Sequence, residues 1–113
     1  MKKTDLAYLE DILEMIEKID LFVRAVSFQE FQSNDEKQFA VFHAMEVIGE
    51  AANKLSEDFI KQNPNFPARE AIELRNILIH GYDLIRLDTV WKTIKEHLPP
   101  LKSQVERALT AIK

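Results

Sequence analysis

The chain has 113 residues, with 15 Lys and Arg against 19 Asp and Glu, no cysteine, two glycines and four prolines. That length supports one domain over 1–113 with a core of its own, and needs no disulfide or metal staple. The missing cysteines exclude disulfides, thiolate zinc sites and thiol nucleophiles, and a net charge of −4 argues against a broad basic surface that would coat nucleic acid.

With 46% hydrophobic and 30% charged residues, the composition is that of a globular chain. No apolar run approaches the roughly 20 residues that cross a bilayer, and the N-terminus enters a charged helical pattern directly. A cytoplasmic protein without membrane contact is the expectation.

Two glycines leave few places for tight turns, which disfavours an all-β fold. Over 5–26, Leu6, Leu9, Ile12, Leu13, Ile16, Ile19, Phe22, Val23 and Val26 recur at three- and four-residue steps, predicting an amphipathic helix with Thr4 as its N-cap. Phe28 and Phe31 then suggest one short turn folded back on the core. Asn34 reads as the N-cap of a second helix over about 35–61, with Asp35 and Glu36 in the first turn. This helix carries Phe39, Phe42, Met45, Ile48, Ala52, Leu55 and Phe59. Gly49 in its interior costs about 1 kcal/mol relative to alanine, a loss that close approach of another helix would explain.

Asn63-Pro64-Asn65-Phe66-Pro67 is a turn. A third helix runs from Ala68 or Arg69 towards Gly81, and Asp88 caps a fourth, which Pro99-Pro100 should end or kink. Leu101, Val105, Ala108, Leu109 and Ile112 carry the period to the end. The fold expected is all-α, an antiparallel bundle of four to five helices.

The third helix departs from simple amphipathicity. On a wheel that sets Ile72 at zero, Ile79 falls at about 340°, Ile77 at about 140°, Leu74 at about 200° and Leu78 at about 240°. Apolar residues on opposite sides need cover on both, from a second chain or from a central place in the bundle. Arg75 sits among them, and a buried guanidinium demands a carboxylate, an anionic ligand or an open cleft. Asn76 and His80, four apart, share a face, so the amide can orient the imidazole. His80 lies in the last turn, where the helix dipole favours its protonated form. Arg75 and His80 are about 140° apart on an ideal helix, so their convergence needs the long arginine, unwinding at Gly81 or pairing across two subunits.

The run Arg75-Asn76-Ile77-Leu78-Ile79-His80-Gly81-Tyr82 resembles the Arg-x4-His-x-Tyr motif of the HEPN superfamily, specifically the small HepT-like toxins. Val47-Ile48-Gly49-Glu50-Ala51-Ala52 is similar to the second-helix signature of those proteins. Val90-Trp91-Lys92-Thr93-Ile94 and Leu98-Pro99-Pro100-Leu101 are similar to their C-terminal pattern. The turn before helix three departs from it, reading Phe66-Pro67-Ala68 where a tryptophan is common.

The resemblance implies an all-α homodimer with two copies of the motif in a cleft. It implies a metal-independent endoribonuclease that uses no cofactor, with Arg75 and His80 as the catalytic pair. Asn76 would hold the imidazole or contact phosphate, and Glu50 would fix Arg75. The resemblance also implies a minimal nucleotidyltransferase antitoxin that binds the chain and adenylylates Tyr82, adding bulk and negative charge beside an RNA phosphate. A non-catalytic dimeric module that binds a nucleotide or a partner is the alternative.

His43 and Glu46 recur with Glu50 on one side of helix two, as a site wall or as solvated positions, and His43, Glu46 and His80 form a weaker metal-ligand alternative. His97 reads as a helix-end cation and Trp91 as a core or dimer contact. No basic stripe is present, so RNA recognition should be weak or narrow.

Overall fold

The apolar stripe of the first segment folds as α1 (Lys3–Val23), in which Leu9, Ile12, Ile16, Ile19 and Val23 are all buried. The computed structural model describes residues 2–79 and 85–112. Thr4 is not the cap: the helix begins one residue before it, behind Lys2, with no side-chain cap. Its acid, Asp5, is engaged elsewhere. Asp5 is 1% exposed, and its carboxylate accepts the Ser56 amide at 2.8 Å and the Ser56 hydroxyl at 2.7 Å.

That bond divides the predicted second helix in two. α3 (Asp35–Asn53) ends at Lys54, and α4 (Glu57–Gln62) starts afresh, with the Ser56 hydroxyl accepting the Phe59 amide at 3.1 Å. One serine thus receives the α4 amide and donates to the α1 carboxylate. Replacing Asp5 with alanine should strand both Ser56 donors, and charge-assisted bonds of this kind contribute about 1.5–3 kcal/mol each. We expect a loss of about 3 kcal/mol in urea unfolding, with the slope unchanged.

The short turn at Phe28 is α2 (Phe28–Gln32), closed by reciprocal bonds between Ser27 and Glu30. Phe31 is fully buried, and Trp91 packs on it with ring centroids 5.3 Å apart and on Phe28 at 5.9 Å. Trp91 is half-buried against the core, and Lys95 lies 4.8 Å over its indole. Asn34 caps α3 as expected, accepting the Lys37 amide at 3.0 Å. The Lys37 ammonium donates to the Phe22 carbonyl at 2.8 Å, tying the start of α3 to the end of α1. With Asp5 bound to Ser56 at the opposite ends, α1 and α3 run antiparallel. Phe39, which fits the apolar period, is 69% exposed and forms a T-shaped pair with Phe42, because Val41, Ala44, Met45 and Ile48 form the inner face.

α5 (Ala68–Ile79) follows the proline turn and packs on the face of α3 that holds Gly49. Ala71, Leu74 and Leu78 are buried, and Ile72 and Ile77 are half-buried against the same core, so these members of both apolar sides find at least partial cover within their own chain. The expected stop at Gly81 lies outside the described residues. α6 (Leu87–Lys92) begins at Leu87, so Asp88 stands inside its first turn rather than at the cap. There a hydrogen bond from Arg86 holds the Asp88 carboxyl below the usual carboxylate range, and this bond is lost as pH falls through that lowered value.

Pro99-Pro100 do not end the helix. A π-helical turn over Thr93–His97 links α6 to α7 (Leu98–Ile112), and the wider turn stands where two missing amide donors would break regular α-helical bonding. His97 accordingly sits in mid-helix, exposed, and not at a helix end. The described residues form an all-α bundle with α3 between α1 and α5, and α7 packed along α1. Among them no helix is long and apolar enough to cross a membrane.

Candidate active site

The site is built on the crossing of α3 and α5. A β-carbon added to Gly49 would lie 2.7 Å from the Arg75 β-carbon, 3.1 Å from its backbone nitrogen and 3.3 Å from the Ile72 carbonyl oxygen. Only glycine permits that approach. It sets the root of Arg75 against α3 one residue before Glu50, and the guanidinium turns back to donate from Nη1 to Glu50 Oε1 at 3.2 Å.

The pair is open to water, with the Arg75 side chain 28% exposed and that of Glu50 55%. It is not an internal lock. Arg75 Nε, by contrast, is buried and has no hydrogen-bond partner among the described residues. A guanidinium presents five donors in a planar fork suited to carboxylate or phosphate. Here one donor is held by an exchangeable acid, and a buried one is unused.

Arg75 opens onto a cleft of about 540 Å³. Val47 and Ala51 floor it, Tyr8 and Asp11 of α1 stand on one side, and Arg75 of α5 stands on the other. His43, Glu46, Glu50 and Lys54 are exposed along α3 at the cleft. The structure therefore gathers Arg75, Glu50, His43 and Glu46, all singled out from the sequence. It adds Lys54 and the two α1 residues, which were not.

Asn76 is half-buried on α5, whereas His80, Gly81 and Tyr82 lie outside the described residues. Among the described residues no three ligating side chains come together as a metal site, and the third member of the His43–Glu46 alternative is His80. Arg69, Glu70, Ile77 and His97 line a separate groove between α5 and the π-helical turn.

A glycine-spaced helix crossing in an all-α bundle sets Arg75 at a mainly apolar cleft that charged side chains line. The chain belongs to the HepT-like ribonuclease family, whose model matches residues 12–108. It is 42% identical over 107 residues to a probable ribonuclease HepT of Thermococcus cleftensis, covering 95% of this chain and 97% of that one. It is 41% identical over 107 residues to a Methanocaldococcus jannaschii protein described as a putative RNase, covering 94% and 98%. No solved structure matches the chain.

Proposed function

We propose that the protein is a metal-independent endoribonuclease acting as a homodimer, with Arg75 and His80 as its catalytic pair. The observation that carries this reading is Arg75 itself: a cation fixed by Gly49 and Glu50 at the edge of a cleft, its side chain partly open to solvent. Membership of the ribonuclease family and the names of its relatives support it.

In the proposed reaction the ribose 2′-oxygen attacks the neighbouring phosphorus and the bond to the 5′-oxygen breaks, leaving a 2′,3′-cyclic phosphate and a 5′-hydroxyl. His80 takes the 2′-hydroxyl proton or delivers one to the departing oxygen. Arg75 neutralises the charge that builds on the phosphoryl oxygens, and Asn76 orients the imidazole. A nucleotidyltransferase antitoxin silences the enzyme by adenylylating Tyr82, placing a negative, bulky group where phosphate must enter.

The test is cleavage of RNA in EDTA by the wild-type protein, Arg75→Ala and His80→Ala. Wild-type activity that both variants lose supports the reading. Equal activity in all three refutes it, and no activity in any favours a binding module. Glu50→Gln should lower kcat about five- to ten-fold by loosening the guanidinium, a fraction of what losing a whole charge-stabilising donor costs. Because the pair is exposed, stability should change by less than about 1 kcal/mol in the same preparation.

A further inference from the structure

We propose that the α1 wall of the cleft, Tyr8 with Asp11, receives the nucleobase beside the phosphate gripped by Arg75, and favours bases that carry an amino group. The inference rests on the ribonuclease reading and names what the site recognises. The antiparallel run of α1 and α3 brings the first turns of α1 beside the last turns of α3, across Val47 and Ala51 from Arg75. In the proposed pose a nucleotide held by its phosphate at Arg75 lays its base across that floor. The cleft volume is within the range of small-ligand sites.

Tyr8 is half-buried and packed against the core, so its ring is held in place and stacking costs little side-chain entropy. Asp11 is exposed and has no salt-bridge partner among the described residues. A carboxylate repels phosphate but accepts hydrogen bonds from the amino groups of cytosine, adenine or guanine. Uracil offers only its N3–H, flanked by two carbonyl oxygens that repel the carboxylate. Stacking on an aromatic ring together with an edge contact is how unpaired RNA bases are commonly read. This division explains how an acidic chain selects RNA without a basic stripe: the cation holds one phosphate and the far wall reads its base.

The experiment uses oligoribonucleotides that differ only in the base beside the cleaved bond, and 2′-O-methyl analogues for binding by fluorescence anisotropy. Wild-type protein should prefer amino-bearing bases over uracil in both readouts. Tyr8→Ala should raise KM and Kd about ten-fold with kcat little changed, while Tyr8→Phe, which keeps the ring, retains wild-type values. Asp11→Asn should abolish the preference against uracil, because an amide offers donors as well as an acceptor.

Unchanged KM and Kd in Tyr8→Ala, or an intact base preference in Asp11→Asn, overturns the proposal. Conversion of a dimer to a monomer by Tyr8→Ala in sedimentation assigns the wall to a second copy of the chain and also overturns it. Base-dependent binding that follows these variants without any cleavage keeps the base wall and removes the ribonuclease reading.

Discussion

Replacing Arg75 with alanine should leave the protein folded and lower kcat/KM for RNA by about a hundred- to a thousand-fold, the loss typical when one charge-stabilising donor leaves a transition state. The structure separates the two effects. Alanine keeps the β-carbon that packs against Gly49, so the α3–α5 crossing is retained. It releases Glu50, an exposed acid that water can solvate, and removes a buried Nε donor that has no partner among the described residues. Stability should therefore change by less than about 1 kcal/mol, and that change can take either sign. Arg75→Lys should recover only part of the activity, because an ammonium cannot hold Glu50 and a phosphate with one planar fork. Initial rates on RNA and urea unfolding of the same preparations measure both quantities.

Gly49→Ala should cost activity far more than it costs folding. The new methyl would stand 2.7 Å from the Arg75 β-carbon and 3.1 Å from its backbone nitrogen, atoms that no side-chain rotation moves away. α5 must give way. The helix-propensity gain of about 1 kcal/mol offsets part of an overpacking cost of roughly 1–3 kcal/mol, leaving a net loss of about 1 kcal/mol. Catalysis has no such offset, since the displaced residue is the one that bears the guanidinium. Sub-ångström to ångström misplacement of a catalytic group costs up to about a hundred-fold, so kcat should fall at least ten-fold at temperatures where the variant is folded. Circular dichroism and kcat measured together would show it. A variant with normal kcat would mean that the crossing does not set Arg75.

Much of the scaffold was readable from periodicity. The buried positions of α1 follow the three-and-four spacing, Asn34 caps where its position predicts, and Gly49 marks a close helix contact as its cost suggested. The misread boundaries share a cause. Thr4 and the unbroken helix over 35–61 were judged from local spacing, whereas the decisive bond joins Asp5 to Ser56, 51 residues apart. Ser56 followed by Glu57 and Asp58 was itself a start signal, masked because Leu55 and Phe59 keep the apolar period across the break. Pro99-Pro100 suggest an end or a kink; the helix does not end there, and a π-helical turn takes up the irregularity just before them.

The site divides in the same way. Arg75 stands out in the sequence because a guanidinium in an apolar helix needs a carboxylate, an anionic ligand or an open cleft, and Glu50 is one candidate partner, which the structure pairs with it. Tyr8 and Asp11 do not stand out in this way. They lie more than sixty residues before the motif in sequence, and the antiparallel packing of α1 on α3 brings them to the cleft.

The most direct measurement is the fate of one RNA phosphodiester in EDTA, followed by mass spectrometry of the products. With a ribonucleotide at the cleaved position the account predicts a 2′,3′-cyclic phosphate and a 5′-hydroxyl, and with a 2′-deoxynucleotide at the same position it predicts no cut. Cleavage of the deoxy-substituted strand, or cleavage that stops when divalent ions are chelated, would contradict it.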